Sequence, residues 1–551
     1  MSEPFSLAGR AWIPVASAKG RRELVRLRDI ASPDWVRLAT GRPDCDTALA
    51  EFLIGLLAVT LGPETLRDWH RLYTSPPDAA VLDNAFATFA HALVLDGDGP
   101  RFFQDVEVLI GEGTPVESLF IDAPADHFLI ERRMEVLSRA GAAIALLTLQ
   151  TMAPAGGAGN RTSLRGGGPL TTFVVPCETP SLWQFLCANI PLRLKGKGAE
   201  ASRIFPWLGP TRTSNPKDRG VETTPQDVAE AQAFFGMPRR IRLTFEQNTG
   251  RLPCDLTGVV DDDVVRSYVT RPWGANYPSS AWRHPLSPYY RAKKGDPEML
   301  PVHLKSSRVA YKDWLGLVTA GDEDKLQIAA RVVKDFRDER ARLLRREDQE
   351  HDRFRLLACG YALDNMKPLD FGEALLPLFT AGTEPANAAL DRIARGMIEA
   401  AEEAARQLAG SVKRALYGDR EKVAYDSTVL NNAKDRFWSE TEPPFYDRLM
   451  EATRSVAAAG DDIDAATSKG QGEGWLGDLR VVALRIFDDL APLDDSDARR
   501  IEDVIAGRRQ LSLMFMGFGP GAAALYRALG LALPEKSTNA GKGKKSRKAK
   551  T

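Results

Sequence analysis

Between Ala153 and Phe173 the chain reads APAGGAGNRTSLRGGGPLTTF, with six glycines and two arginines, Arg161 and Arg165, between a helix-like segment and a strand-like one. Glycine clusters act through the main chain. Without a Cβ, the backbone can lie close to a phosphate or in a nucleic-acid groove, and adjacent guanidinium groups supply charge. Nucleoside triphosphate chemistry does not fit. No Gly-Lys-Ser/Thr follows, as a Walker loop needs, and Gly157-Ala158-Gly159 leads to Thr162 where a dinucleotide fingerprint has its third glycine. The glycines alone leave two readings open: a turn without a ligand, and a bare surface laid against a phosphate or groove.

Other reactive constellations are missing from the sequence. The six histidines (His70, His91, His127, His284, His303, His351) have no H-x-H or H-E-x-x-H spacing and read as surface or structural residues. No G-x-S-x-G elbow occurs, and Asp261 to Asp263 and Asp488–Asp489 read as solvated turn and helix-end residues. The five cysteines are scattered without a C-x-x-C pair, which argues against a zinc finger or a disulfide framework and for a reducing cytoplasm. The expectation is a protein with no catalytic residue, cofactor or metal of its own.

The elements that must position these residues show two textures. Up to about Phe379, short β-like runs (AWIPV, RELVRL, TTFVVP, RRIRLTFEQ, VVRSYVT) alternate with helical ones and many Pro and Gly turns. Ala18 to Gly20 reads as the turn of a hairpin. Beyond Ala381 the β signals stop. Thr383 can cap a helix with Pro385 in its first turn, and Leu390, Ile393, Met397, Ala401, Leu408 and Val412 share a face. A second helix spans about Val429 to Ser455, bent at Pro443–Pro444; a third carries Trp475, Leu479, Val482 and Ile486; a fourth follows Ser496. The fold class is therefore α+β: a large irregular mixed domain over 1–380, then an all-α four-helix bundle over 381–533.

The 551 residues carry a net charge of −1, distributed unevenly. Residues 534–551 hold Lys536, Lys542, Lys544, Lys545, Arg547, Lys548 and Lys550 against Glu535, so a basic tail that reads as disordered follows a mildly acidic body. No signal pattern opens the chain and no apolar run reaches the roughly 20 residues of a membrane span, so a cytoplasmic protein without membrane contact is expected.

Five stretches carry a resemblance: NRTSLRGGGPLTTF (Asn160 to Phe173), RPDCDTALAEFLIGLL (Arg42 to Leu57), GPRFFQD (Gly99 to Asp105), WRHPLSPYY (Trp282 to Tyr290) and GYALDNMK (Gly360 to Lys367). In these residues, met in the same order, the chain resembles the CasA family, the large subunit of the type I-E CRISPR surveillance complex called Cascade. The resemblance implies partners: the other Cascade subunits with bound CRISPR RNA, double-stranded target DNA, and a separate helicase-nuclease. It also implies a division of labour, in which the guide RNA reads sequence while this subunit recognises the short PAM from the minor groove and starts strand separation. A purely structural assembly subunit is the alternative, and a nucleotide-dependent enzyme using the glycine loop a remoter one.

Carried over residue by residue, the resemblance places Ala155, Gly156, Gly157, Ala158 and Gly159 in the minor groove, where the family usually has glycine at the position of Ala158. Asn365, Met366 and Lys367 match a wedge hairpin: Asn365 donates and accepts in the groove, Met366 inserts at the first base step, and Lys367 faces the backbone. Arg271 matches a basic PAM-contacting residue, with Arg283, Lys293 and Lys294 as rivals. Phe128, Leu129 and Ile130 resemble the loop that touches the guide-RNA handle and backbone subunits. Some relatives bind zinc through paired cysteines where Ser138, Arg139 and Gly141 stand here, so no metal is expected. On the bundle, Arg406, Lys413, Arg414, Arg499, Arg500, Arg508 and Arg509 face either DNA or solvent.

Overall fold

The computed structural model describes residues 4–122, 134–157, 159–293, 295–305, 309–319, 327–345, 354–418, 428–459, 465–493 and 498–535. The chain divides into two compact units, Met1–Ala388 and Ala389–Thr551.

Among the described residues of the first unit, strands form five small sheets. The expected hairpin is present near the start of the chain. β1 (Ile13–Ser17) and β2 (Arg22–Val25) pair antiparallel around Gly20, whose φ of +82° suits glycine, and β3 (Trp35–Leu38) flanks β1. Two helices follow that are apolar nearly all round and so must be buried: α1 (Pro43–Thr60), with Pro43 in its first turn, and α2 (Arg139–Met152), which packs against it. Trp12, Phe52, Phe102, Phe103, Trp207 and Phe235 interlock around α1 in edge-to-face and tilted contacts, each pair contributing about 0.5–1.5 kcal/mol beyond area burial.

One of these sheets is three-stranded and antiparallel. β4 (Thr171–Val175), β5 (Arg240–Gln247), β6 (Asp263–Arg271), β7 (Arg355–Asp364) and β8 (Lys367–Pro377) follow in chain order, and β7 lies between β4 and β8. β5 and β6 pair with each other in a different sheet.

Two acidic residues read as solvated have a structural task. Asp261 and Asp263 take the Arg139 guanidinium at 2.6 and 2.9 Å, and Asp261 also accepts the Arg139 backbone N–H at 3.0 Å. Ser138 completes the start of α2 by accepting from Gly141 N–H at 3.1 Å. The helix that delivers the glycine segment is thus anchored at its far end.

The second unit is helical, with α3 (Glu384–Tyr417) entering it and α4 (Thr428–Ala459), α5 (Ala465–Leu490), α6 (Ala498–Phe515) and the short α7 (Ala522–Ala528) completing it. Thr383 caps α3 as its type suggests, its hydroxyl accepting from Ala386 N–H at 3.4 Å. α4 continues helical through Pro443 and Pro444. Buried Trp475 on α5 donates to the Met397 carbonyl of α3 at 2.8 Å and meets Phe445 of α4 edge-on. Close backbone packing needs glycine twice. A Cβ on Gly507 would stand 2.8 Å from the Ser411 carbonyl oxygen, and one on Gly396 would run into that of Ala528.

Several bundle arginines are already paired. Arg508 grips Asp488 through two bonds of 2.6 and 2.8 Å, Arg406 pairs with Glu403, and Arg436 takes Asp489 at 2.8 Å, so Asp488–Asp489 bridge helices while remaining accessible. The basic tail beyond residue 535 lies outside the described residues.

Candidate nucleic-acid interface

At Met152 the helix ends, and the next residues fold back into a tight exposed turn. Gly156 N–H donates to the Asn160 carbonyl at 3.2 Å, Asn160 N–H to the Gly157 carbonyl at 2.7 Å, and the Asn160 amide to the Gly156 carbonyl at 3.2 Å. Gly157 and Gly159 have φ of +67° and +83°, conformations that L side chains rarely adopt. Ala155, Gly156 and Gly157 are exposed, and the space around the missing Gly157 side chain is open. Ala158 lies outside the described residues.

The turn is held from below. Trp273, itself at φ +67°, donates its N–H to the Gly159 carbonyl at 2.9 Å, and its indole fills the space a Gly159 side chain would need. Arg161 lies over that indole at 5.4 Å and donates to the Ser214 hydroxyl at 2.9 Å. Arg239 Nη2 donates to the Pro154 carbonyl at 2.5 Å. The bare face is outward and every braced face inward.

The two arginines that the sequence offered as charge for this segment do not serve it. Arg165 is buried and pairs with Glu51 at 2.5 Å, while its Nη1 donates to the hydroxyls of Ser287 and Thr171 at 2.8 and 3.1 Å. Thr171 completes the network by donating to Glu51 at 2.6 Å. Removing one partner of such a pair costs about 3–5 kcal/mol, because the other charge is left buried and unmatched. Arg161 is committed to Ser214 and Trp273. Both are braces of the loop, not its ligand-facing charges.

Gly166, Gly167 and Gly168 have a different task from the exposed glycines: Gly167 and Gly168 seat the β7–β8 hairpin, while a Cβ on Gly166 would run into the His303 ring, 2.8 Å from its Nε2. A side chain on Gly168 would meet Tyr361 Cβ at 2.7 Å, and one on Gly167 would meet Pro154 Cα at 2.9 Å and Met366 Sδ at 3.2 Å. Gly360 answers from the hairpin side, where a Cβ would stand 2.7 Å from the Pro169 carbonyl oxygen. Tyr361 fixes the hairpin further by donating to buried Asp44 at 2.7 Å; burial and the Asp44 charge push its pKa up.

At the hairpin tip, Asn365 and Met366 both have positive φ, +46° and +65°. Two such residues between the paired Asp364 and Lys367 make a two-residue turn of the mirror type, which normally selects Asn-Gly. Asn at the first position fits that rule and methionine at the second violates it. Strain of this kind, of order 1–3 kcal/mol, persists at sites where it has a use. Asp364, Asn365, Met366 and Lys367 are all exposed, with Met366 at 45 %.

Arg271 ends β6 two residues before Trp273, and it is exposed, its guanidinium resting on the Ile110 carbonyl. Its rival Arg283 is also exposed, but its guanidinium is engaged with nearby main chain, donating to the carbonyls of Ser280 and Trp282 at 2.8 and 2.7 Å. Lys293 is exposed, and Lys294 lies outside the described residues. So do Phe128, Leu129 and Ile130. Trp282 is core, donating to the Thr223 carbonyl at 3.1 Å. The fold therefore gathers the glycine turn, the strained hairpin tip and the end of β6. Sequence reasoning missed Trp273 and Arg239, whose contribution comes only from strands brought beside the turn.

Comparison with known proteins gives a family. The sequence profile of CRISPR-associated protein Cse1 matches residues 7–486. A solved structure of CasA from Thermus thermophilus shares 18 % identity with a TM-score of 0.67, over 96 % of this chain and 100 % of that one. The Acidimicrobium ferrooxidans Cse1 structure shares 20 % identity with a TM-score of 0.66, over 97 % and 100 %. A chain in a structure described as a CRISPR RNA-guided surveillance complex shares 17 % identity with a TM-score of 0.63, over 93 % and 100 %.

Proposed function

Because the chain belongs to the CRISPR-associated Cse1 family, we propose that it is the large subunit of a type I-E RNA-guided surveillance complex and that its glycine turn and hairpin tip read the PAM. It works without catalysis of its own, in the cytoplasm, alongside the other Cascade subunits and their CRISPR RNA. The turn Ala155–Gly159 enters the minor groove of target DNA. There a guanine amino group crowds the main chain that an A·T pair admits, so several PAMs are tolerated and G·C pairs at sensitive positions are not. Asn365 supplies a donor and an acceptor to the groove, and Met366 wedges the first base step. Lys367 and Arg271 meet phosphates. Unstacking costs a few kcal/mol, which groove contacts and guide pairing offset before a separate helicase-nuclease is recruited. Residues 128–130 contact the guide-RNA handle and the backbone subunits.

The observation that carries this reading is the meeting of two segments about 200 residues apart in sequence at one place, with Met366 against the glycine segment and the exposed turn beside it. The test is duplex binding by the assembled complex at fixed salt, on permissive and non-permissive PAMs. Gly157→Asp and Asn365→Ala/Met366→Ala are each expected to weaken permissive binding and to shrink the difference between the two DNAs, worth about 1–3 kcal/mol per disfavoured base pair. Folded, assembled variants that discriminate like the parent overturn the reading.

A further inference from the structure

With Arg161 and Arg165 both consumed internally, the glycine turn has a cation that the sequence pattern did not suggest. Arg239 lies half-buried just before β5, directly under Gly156. Its Nη2 is fixed on the Pro154 carbonyl, while its Nη1 stands 3.2 Å from where a Gly156 Cβ would begin. Nη1 makes no hydrogen bond among the described residues and, unlike the sealed Nε, keeps solvent access beneath Gly156. A Cβ at position 156 would crowd it.

The neighbouring cations show what Arg239 lacks. Arg240, the next residue, holds Asp105 at 2.5 Å and Glu107 at 2.6 Å, and Arg139 and Arg165 are likewise matched to carboxylates. Among the described residues no carboxylate pairs with Arg239. Burial lowers its pKa to about 10, which leaves it charged at neutral pH. Another buried arginine, Arg340, has a different environment: both its terminal nitrogens are capped, by the carbonyls of Ala188 and Ile190 at 2.9 Å, and the Asp335 and Glu339 carboxylates act on its charge. Arg239 has one terminal nitrogen capped and one left over.

We propose that Arg239 is a phosphate-binding residue, its Nη1 taking a non-bridging oxygen of the DNA strand that lies over Gly156 and Gly157. The proposal rests on the reading of the turn as a DNA-contacting surface and adds a cation directly beneath the turn, in addition to those of Lys367 and Arg271. The Pro154 carbonyl fixes one arm of the planar guanidinium fork and so aims the other. A phosphate contact carries no sequence information, which separates this residue from the groove-reading main chain above it.

The experiment is duplex binding by the assembled complex between about 50 and about 200 mM salt. Arg239→Gln keeps a donor for Pro154 and removes the charge. It is expected to weaken permissive and non-permissive duplexes by the same factor and to reduce the slope of log K against log salt by about 0.9, one phosphate's worth. Arg239→Lys is expected to retain the slope. An Arg239→Gln slope equal to the parent's overturns the proposal. If Arg239→Gln does not assemble, a methylphosphonate scan of PAM-flanking phosphates on parent and Arg239→Lys replaces it. One phosphate is then expected to matter less to the lysine variant, and superimposable scans overturn the proposal. Failure of the turn itself has another signature, unchanged PAM discrimination in Gly157→Asp, so the two ideas fail separately.

Discussion

Met366 Sδ lies 3.2 Å from the point where a side chain on Gly167 would begin, and Pro154 Cα lies 2.9 Å from the same point. The hairpin tip and the start of the exposed turn therefore touch across a residue that must be glycine. The seat and the tip form one unit, and its geometry is set by what is missing at positions 167 and 168.

The glycines on the two sides of this unit should respond differently to alanine. Gly168→Ala combines a φ of +57° with a Cβ pressed to 2.7 Å from Tyr361 Cβ, so backbone strain adds to about 1–3 kcal/mol of overpacking. Gly157→Ala adds a methyl to open space and costs only the strain of its φ, about 1–2 kcal/mol. Urea unfolding checks the order: equal losses contradict the division into seat and reader.

Met366→Gly is expected to stabilise the protein. Asn-Gly is the favoured pair for this turn, and glycine removes the cost of a methionine at φ +65°. The gain should be about 1 kcal/mol by thermal or urea unfolding. A loss of stability would show that Met366 packing outweighs its strain.

The Glu51–Arg165 pair predicts a non-additive double mutant. Arg165→Met alone leaves a buried carboxylate unmatched and should cost about 3–5 kcal/mol. Arg165→Met combined with Glu51→Leu should recover most of that loss. Additive losses in a double-mutant cycle would contradict the coupling.

Acid should destabilise the first unit through His284. Burial, with a smaller contribution from nearby Arg165, holds its pKa well below the ordinary 6.5. Its Nδ1 accepts from Leu286 N–H at 3.2 Å, and its Nε2 is 3.8 Å from Glu51, a carboxylate already taken by Arg165 and Thr171. The imidazole is neutral, so this contact is not an ion pair. Unfolded His284 takes up a proton below about pH 6.5 and folded His284 does not, so its contribution is complete above that pH. It falls as pH drops, by up to about 1.4 kcal/mol per unit. Half-buried His303, lowered by desolvation in the same direction, adds to the trend. His284→Gln should flatten the dependence of urea unfolding on pH between about 6.5 and 5; a parallel curve contradicts it.

The exposed turn was legible because glycine needs no tertiary context to leave a backbone bare, and the Asn365–Met366 tip because polar residues bracket it. The seat was not: the role of Gly167 and Gly168 depends on β7 arriving from far along the chain. Charges were the least legible part. Arg161 and Arg165 stand in the glycine segment but turn inward, Arg165 because Glu51, buried in the middle of α1, needs a partner, and Arg161 onto Ser214 and Trp273. Asp261 and Asp263 looked solvated until the start of α2 came beside them. The four long helices of the second unit followed from their 3.6-residue periodicity, which local sequence carries, whereas the short α7 was not legible.

The most direct measurement places 2-aminopurine at the base step next to the PAM and follows its fluorescence as the assembled complex binds a permissive duplex. A rise is expected with the parent protein, reporting an unstacked step, and a strongly reduced rise with Met366→Gly although that variant is at least as stable. An equal rise with Met366→Gly, on folded and assembled protein, would contradict the claim that the hairpin tip opens the duplex.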